Sequence, residues 1–247
     1  MTTEALDVAG AARSYVLGVP STYDASRAYP LVLGFHGDGG DGAGIRAALS
    51  FEAVSGQDAI VAYPSGHGHT WDLYGPAATN GDVDFITKLV GALEQRFNVT
   101  PDRVFGIGFS NGAFMLNQLA CRRPSLFRAI VPLSGGAPYE PQDSGASHWE
   151  NGYVKCAGQT LGSGPAVLVV HGTQDAVVSY ESGDFSAKYW SYVNGCGEAS
   201  SAWSIQPCVS YAECPTGKSV LFCPIAAMGH AIWSEATKAA WTFFSGL

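Results

Sequence analysis

The fold of this chain is decided by the stretch VFGIGFSNG, residues 104–112. An apolar run of strand character, Val104–Ile107, leads into the pattern G-x-S-x-G centred on Ser110, and an apolar helical segment follows over residues 111–120. A serine on so sharp a strand-to-helix turn is held in a strained backbone that lifts its hydroxyl clear of the sheet. The first amides of the helix stay unpaired and point at any anion that forms beside the serine. The stretch therefore predicts a nucleophilic serine at the edge of a sheet.

Apolar runs of strand length alternate with segments of helical spacing on both sides of this turn. The predicted strands cover residues 12–19, 31–35, 59–63, 104–107, 128–133, 166–170 and 220–222, and the predicted helices cover residues 83–97, 111–120, 180–193 and 234–244. The first strand alternates polar and apolar residues and is predicted at an edge, whereas the others are continuous apolar runs typical of buried parallel strands. Such alternation predicts an α/β protein with a mainly parallel central sheet and helices on both faces. With the serine on its turn, the pattern predicts the α/β-hydrolase fold.

Composition limits the class of protein further. The 247 residues are enough for one large domain, and we expect a single catalytic domain over 1–247 with a glycine- and proline-rich loop insertion at 135–164. The 13 basic and 21 acidic residues give a net charge of −8 without a Lys/Arg cluster, which disfavours nucleic acid and anionic membranes as partners. No apolar stretch approaches the length of a membrane span. We expect a monomer.

The chain has an even number of cysteines, which predicts three disulfides rather than a metal site. They are Cys121, Cys156, Cys196, Cys208, Cys214 and Cys223. No pair has the close spacing of zinc ligands, and six cysteines permit about fifteen pairings. Disulfides indicate an oxidising compartment, so we expect a secreted protein. The first residues lack the basic and apolar regions of a signal peptide, and we expect a mature form with an added Met.

Two further residues stand where partners of Ser110 are expected. Asp175 follows the strand 166–170, and His230 follows the last predicted strand, so that the chain order is Ser, Asp, His, as in α/β-hydrolases. A serine needs an imidazole to take its proton, and the imidazole needs a carboxylate to fix its tautomer. We assign His230 as general base and Asp175 as its orienting acid. His171 is interpreted as a structural residue that hydrogen-bonds the Asp175 loop, and Asp184, the alternative acid, as a helix cap.

The glycine-rich stretch GFHGDGG, residues 34–40, is the candidate oxyanion loop. We expect the backbone amides of Asn111 and Asp38 to be its two donors, with the Asp38 carboxylate pointing away from the developing charge. Losing one such donor typically costs about 3 kcal/mol of transition-state stabilisation. Two other interpretations of this stretch are a phosphate-binding loop and a flexible glycine turn. A phosphate-binding loop would need a Gly-Lys-Ser/Thr ending, which is not present here.

Aromatic residues are frequent on the loops expected at the active edge of the sheet. The candidate substrate-binding residues are Trp71, Tyr74, Phe109, Tyr139 and Trp233. A flat aromatic acyl group would gain on the order of 1 kcal/mol from each ring beyond area burial. The alternative is that most of these rings pack loops onto the core. Trp233, close to His230 in sequence, is the strongest candidate.

Seven motifs together resemble the secreted feruloyl (cinnamoyl) esterase family, which is close to the polyhydroxybutyrate depolymerase and acetyl xylan esterase families, over most of the chain. The motifs are Phe35–Gly40, Thr70–Asp72, Asp82–Phe85, Gly108–Gly112, Leu119–Cys121, His171–Asp175 and Gly229–Trp233. The resemblance implies hydrolysis of hydroxycinnamate esters of plant cell-wall polysaccharide through an acyl-enzyme, without cofactor or metal. It implies Ser110, Asp175 and His230 as the triad. It also suggests the disulfides Cys121–Cys156, Cys196–Cys223 and Cys208–Cys214.

Other functions remain open at this point. One is a polyester depolymerase that acts on polyhydroxyalkanoate or on an aromatic polyester such as polyethylene terephthalate, whose terephthalate unit is also flat. Another is an acetyl xylan esterase, which would need a smaller acyl pocket. The alternative outside enzymes is a catalytically silent hydrolase-fold protein that binds carbohydrate.

Overall fold

A computed structural model of the protein describes residues 1–139 and 147–247. The strands are β1 Thr2–Val8, β2 Ala11–Gly18, β3 Tyr29–Phe35, β4 Ile60–Pro64, β5 Val99–Phe109, β6 Ala129–Leu133, β7 Ser147–His148, β8 Val154–Lys155, β9 Ala166–Gly172, β10 Ser200–Ala202, β11 Val209–Tyr211 and β12 Val220–Ile225. The helices are α1 Gly42–Leu49, α2 Phe51–Ser55, α3 Gly81–Arg96, α4 Asn111–Arg122, α5 Tyr180–Asn194 and α6 Ala236–Ser245. Every predicted element coincides with one of these, with ends that differ by a few residues.

Ten strands form one sheet in the order β1-β2-β4-β3-β5-β6-β9-β12-β11-β10. The six central strands, from β4 to β12, pair in parallel, whereas the two strands at each edge pair antiparallel. The predicted parallel centre is therefore confirmed. The prediction that the first strand is an edge was wrong, because β1 pairs along all of β2 and takes the edge position itself.

Helices cover both faces of the sheet, as the α/β-hydrolase fold requires. Apolar residues of α3, α4 and α5 pack with one set of strand residues, and those of α1, α2 and α6 pack with the other. The alternation is clear in β3, where Leu31 and Leu33 face the first cluster and Val32 faces the second. In the described ranges, no helix has the length and apolar character needed to cross a membrane.

Parallel pairing brings the loops after β3, β5, β6, β9 and β12 to one edge of the sheet. Phe35 at the end of β3 pairs with Gly108 of β5, and Phe109 pairs with Leu133 at the end of β6. Ile225 at the end of β12 pairs with the last residue of β9. The loops that carry Ser110, Asp175, His230 and the candidate oxyanion residues leave from these carboxyl ends, where active sites of such sheets are built.

The range 135–164, expected as an insertion, carries the short hairpin of β7 and β8. Its residues 140–146 lie outside the described part of the chain. Cys156 in this range is joined to Cys121 in α4, as the resemblance suggested. The bridge fixes the end of the segment to a helix that packs directly on the sheet.

The other two disulfides differ from the suggested pairing, since the structure joins Cys196 to Cys214 and Cys208 to Cys223. The reason is the antiparallel pairing of β11 with β12, which places Val209 opposite Phe222. Cys208 comes just before Val209 and Cys223 comes just after Phe222, so the antiparallel register brings the two cysteines together. Cys196 lies before β10 and Cys214 lies after β11, so their bridge closes the end of the antiparallel pair of β10 and β11.

Peptide mapping under non-reducing conditions is expected to find these three pairs, with the corresponding peptides separating after reduction. The closed loops span 35, 18 and 15 residues of sequence separation, and loops of this size each stabilise the folded state by about 3 kcal/mol. Reduction should therefore lower Tm. A peptide that links Cys196 to Cys223, or Cys208 to Cys214, would contradict the structure.

Candidate active site

Ser110 lies between β5 and α4 with φ 53° and ψ −121°, a backbone conformation that costs about 1–3 kcal/mol. The residues two positions before and two positions after it must be glycine, because a side chain at either would collide with backbone. A Cβ on Gly108 would lie 2.5 Å from the carbonyl oxygen of Gly112, and a Cβ on Gly112 would lie 2.6 Å from that of Phe35. The Ser110 amide is anchored to the Leu133 carbonyl at 2.9 Å, which fixes the turn against β6.

The structure brings the three predicted triad side chains into one hydrogen-bonded chain. His230 Nε2 lies 2.8 Å from Ser110 Oγ, and His230 Nδ1 lies 2.8 Å from Asp175 Oδ2. A carboxylate accepts a hydrogen bond, so Nδ1 carries the proton and Nε2 is free to accept from the serine hydroxyl. The side chain of Asp175 is fully buried and that of His230 is 17% exposed, which leaves the imidazole accessible to substrate and water.

The second oxygen of Asp175 is also held in place. Oδ1 accepts from the amides of Val177 and Val178, both at 2.9 Å. Burial acts to raise the pKa of Asp175, but the hydrogen bond from His230 and the two amide donors outweigh it, so the pKa lies below its usual value. The carboxylate therefore stays ionised at neutral pH and keeps the His230 proton on Nδ1.

His171 supports the Asp175 loop, which agrees with its interpretation as a structural residue. Its Nε2 lies 2.9 Å from the Val178 carbonyl oxygen and 3.4 Å from Asp175 Oδ2. Because a carbonyl only accepts, Nε2 carries the proton, and the ring is completely buried. Gly183 of α5 lies against this ring and has no space for a side chain.

Asp184 lies apart from the triad. It is inside α5, and its carboxylate pairs with Lys188 one turn later at 2.6 Å, with both side chains partly exposed. The expectation that it caps the helix was wrong, because the helix already begins at Tyr180 and Ser179 holds the N-cap position.

Both predicted oxyanion donors border Ser110. Asn111 is the first residue of α4, and a Cβ on Gly37 would lie 3.4 Å from Ser110 Cβ, so the 34–40 loop packs directly beside the serine. Within residues 1–139 and 147–247, neither the Asn111 amide nor the Asp38 amide donates to another protein group. Asp38 is exposed, so its carboxylate has access to water. In the described ranges both amides are therefore available to donate to a group from outside the protein.

A cleft of about 710 Å³ adjoins the triad without including it. The lining residues are Leu73, Tyr74, Phe114, Gln118, Gly136, Ala137, Pro138, Tyr139, Ser179, Glu181, Ser182 and Phe185. Phe114 lies one turn after Ser110 in α4, and its amide lies 3.1 Å from the Ser110 carbonyl oxygen. The volume falls within the range of about 300–1,000 Å³ that small-molecule sites occupy.

The five aromatic residues predicted to bind substrate occupy different environments. Tyr74 and Tyr139 line the cleft, are 70% and 54% exposed, and pack edge to face with ring centroids 6.0 Å apart. The Phe109 ring lies 5.0 Å from the His230 ring, centroid to centroid. Trp233 is partly buried against the cluster that includes α6.

The prediction for Trp71 was wrong. Its side chain is only 2% exposed, and its indole N–H donates to the His36 carbonyl at 2.9 Å. Its ring also packs against Phe35, with centroids 5.4 Å apart. A buried and hydrogen-bonded indole holds the loop after β3 and has no face left for a substrate.

Of the residues that line the cleft, sequence reasoning predicted Tyr74 and Tyr139 and missed the others, which include three large side chains on helices. Phe114 and Gln118 lie four residues apart on α4 and so share a helix face, and Phe185 lies on α5. The spacing of Phe114 and Gln118 after the nucleophile was the available signal. Phe185 is 46% exposed and carried no such signal.

Metal ligation has no support in the described ranges. No group of three or more His, Cys, Asp or Glu side chains in residues 1–139 and 147–247 is arranged to hold an ion.

Comparison with known sequences gives two matches that bear on this site. The profile of the prolyl oligopeptidase family, Peptidase_S9, matches residues 48–187. The "Probable feruloyl esterase C" of Aspergillus niger is 34% identical over 196 residues, which cover 76% of this chain. That match covers 64% of the relative, so the chain spans slightly less than two thirds of its length.

Comparison with solved structures finds the same fold in esterases. The acetyl xylan esterase from Aspergillus awamori superposes with a TM-score of 0.79 at 20% identity, covering 99% of this chain and all of that one. An esterase of Butyrivibrio proteoclasticus, solved with ferulic acid bound, superposes with a TM-score of 0.63 at 17% identity and covers 98% of each chain. At these identities the likeness establishes the α/β-hydrolase fold.

Proposed function

This chain belongs to the prolyl oligopeptidase family, and we propose that it is a serine carboxylic ester hydrolase that releases hydroxycinnamic acids from plant cell-wall polysaccharide. The observation that carries this proposal is the hydrogen-bonded chain from Ser110 through His230 to Asp175, beside a cleft with aromatic walls. The likeness to the Aspergillus niger relative supports the choice of ester and acyl group.

Acylation begins at Ser110. Its Oγ attacks the ester carbonyl carbon while His230 Nε2, at 2.8 Å, takes the hydroxyl proton. The tetrahedral oxyanion accepts hydrogen bonds from the amides of Asn111 and Asp38, and Asp175 stabilises the imidazolium. When the intermediate collapses, His230 gives its proton to the departing alcohol oxygen, and the acyl group stays on Ser110.

Deacylation repeats these steps with water. His230 takes a proton from a water molecule, whose oxygen attacks the acyl carbonyl and forms a second oxyanion at the same amides. Collapse breaks the bond to Ser110 Oγ, which recovers its proton from His230, and the free acid leaves. Glu181 lines the adjacent cleft, and its carboxylate favours release of an acid product that ionises to an anion.

The cleft supports a flat aromatic acyl group over acetate. Tyr74 and Tyr139 leave most of their ring area open to a ligand, and Leu73, Phe114 and Phe185 add apolar wall. Contacts with such rings contribute about 1 kcal/mol each beyond area burial. An acetyl group is too small to reach several of them, so it gains less from this cleft than a hydroxycinnamoyl group.

The proposed enzyme is extracellular and monomeric. Three disulfides pair all six cysteines, which is typical of proteins that fold in an oxidising compartment. The net charge of −8 gives no electrostatic attraction to nucleic acid or to anionic lipid.

A substrate panel tests the function. Rates should be compared on methyl ferulate, p-nitrophenyl acetate, acetylated xylan, poly(3-hydroxybutyrate), an aromatic polyester film and glycyl-prolyl-p-nitroanilide. We expect the highest kcat/KM on methyl ferulate and release of ferulic acid from feruloylated arabinoxylan. Preference for acetyl, hydroxybutyrate or terephthalate esters would reassign the acyl group, and cleavage of the anilide without the esters would contradict an esterase.

Tyr74→Ala is expected to raise KM for methyl ferulate about 5-fold while leaving p-nitrophenyl acetate hydrolysis within 2-fold. One aromatic contact of about 1 kcal/mol corresponds to this factor. The matched control is Tyr74→Phe, which keeps the ring and should keep the KM. If the alanine variant changes both substrates equally, or neither, then the cleft does not hold the acyl group.

A further inference from the structure

His36 makes two hydrogen bonds that together define its tautomer. Its Nδ1 lies 2.7 Å from the carbonyl oxygen of Gly37, and its Nε2 lies 2.8 Å from the amide nitrogen of Gly66. A backbone amide can only donate, so Nε2 accepts and carries no proton. The ring proton is therefore on Nδ1 and is donated to the Gly37 carbonyl. Burial at 1% exposure favours this neutral form and lowers the pKa of His36.

The carbonyl that His36 holds belongs to the same peptide group as the Asp38 amide. In a trans peptide the C=O and N–H bonds point in opposite directions, so fixing the Gly37 oxygen also fixes the direction of the Asp38 N–H. The amide of Gly40 donates to the same oxygen at 3.1 Å. Two donors on the carbonyl side leave the opposite side of the peptide for the candidate oxyanion donor.

This peptide has little steric restraint of its own. Gly37 lacks a side chain, and the loop continues through Gly39 at φ 73°, a region that glycine enters freely. A rotated peptide would present the Gly37 carbonyl to the reacting carbonyl and replace a donor with a repelling dipole. The hydrogen bonds to the Gly37 carbonyl therefore restrain the direction of the Asp38 N–H directly, whereas the bond from the Gly39 amide to the His69 carbonyl at 2.8 Å holds the next peptide.

The same network reaches the other donor. The Trp71 indole donates to the His36 carbonyl at 2.9 Å, and its ring lies 4.8 Å from the His36 ring, centroid to centroid. The Trp71 amide donates to Asn111 Oδ1 at 2.8 Å. Asn111 also supplies the first candidate oxyanion amide, so one continuous set of bonds connects the residues of both donors.

We propose that His36 is a positioning residue that holds the Gly37–Asp38 peptide with its N–H toward the oxyanion, through the Nδ1–H bond to the Gly37 carbonyl. The proposal rests on the proposed esterase function and adds to it a residue that touches no substrate. It also explains why a buried imidazole stands in a loop otherwise rich in glycine.

Two variants separate this role from a general structural one. The amide of Asn matches the position of Nδ1, so His36→Asn can still donate to the Gly37 carbonyl but loses the bond from Gly66. The amide oxygen of Gln matches the position of Nε2, so His36→Gln can still accept from Gly66 but loses the bond to Gly37. Each variant gives up one hydrogen bond, and we expect similar Tm values for the two.

The rates of the two variants on methyl ferulate then distinguish the positioning role from a general structural role. We expect His36→Gln to lose about 10²-fold in kcat with little change in KM, as when an oxyanion donor is lost, and His36→Asn to stay within about 5-fold of wild type. Equal kcat for the two variants, or a glutamine variant near wild type, would overturn the positioning role while leaving the esterase function intact. An inactive wild-type protein would instead overturn the esterase function.

A measurement on the unmodified protein covers the case in which the variants fail to fold. Nitrogen-15 NMR of the His36 imidazole at neutral pH should show a protonated Nδ1 and an unprotonated Nε2. Observation of the Nε2–H tautomer or of the imidazolium would overturn the proposal, because neither can make both bonds.

Discussion

Replacement of Ser110 by alanine is expected to lower kcat for methyl ferulate by about 10⁴- to 10⁶-fold, with Tm unchanged or slightly raised. The hydroxyl is the only group on this turn that can form the acyl-enzyme, and without it His230 has no alcohol to activate. Alanine removes the nucleophile without adding bulk, and the strained backbone at φ 53° needs no hydroxyl to form. Steady-state kinetics, together with thermal unfolding of both proteins, measure the effect.

The matched control is Ser125→Ala. Ser125 is exposed and lies after α4, away from the carboxyl edge of the sheet. This variant should keep wild-type rates. If Ser110→Ala hydrolysed methyl ferulate at more than a tenth of the wild-type rate, hydrolysis would have to come from another residue.

Asp175→Asn should lower kcat by about 10⁴-fold with little effect on KM. The reason lies in the two hydrogen-bonded sides of this residue. The amide side chain of the variant would keep its oxygen toward the amides of Val177 and Val178, which donate to Oδ1 in the wild type. Its NH₂ would then face His230 Nδ1, which must accept, so the ring proton moves to Nε2 and His230 can no longer take the serine proton.

The comparison variant is Asp184→Asn, because Asp184 was the alternative acid in the sequence. Its carboxylate pairs with Lys188 at the surface, and exposed pairs of this kind contribute about 0.2–1 kcal/mol. We expect its kinetics to match wild type. A loss of activity in this variant that equals the loss in Asp175→Asn would mean that the acid has been assigned to the wrong residue.

The central part of the fold was predictable because its strands are buried on both faces. The run 31–35 is continuously apolar, and the structure buries every residue of β3. The edge strands of the sheet have a weaker hydrophobic pattern. β1 has mostly exposed residues, and β10 and β11 have only three residues each, so local hydrophobicity did not distinguish them from loops. The helices α1 and α2 were missed because both are short: α1 follows the glycine-rich loop after β3, and α2 has five residues and is separated from α1 by Ser50 alone.

The disulfide partners depended on those unpredicted edges. Cys208 meets Cys223 through the pairing of β11 with β12, and a long-range register cannot be read from spacing along the chain. The triad residues could be placed on the right loops, since each follows a strand of the parallel centre. Their distances, the buried position of Trp71 and the bonds of His36 are products of tertiary packing that a single sequence does not contain.

Covalent trapping tests the nucleophilic role of Ser110 most directly. The protein should be treated with a stoichiometric aryl phosphonofluoridate and its intact mass measured as activity falls, followed by peptide mapping of the adduct. The account predicts one phosphonyl group per chain, located on Ser110, with activity lost in proportion to its incorporation and no adduct on Ser110→Ala. Full modification of Ser110 with esterase activity retained, or inactivation with the adduct on another residue, would contradict it.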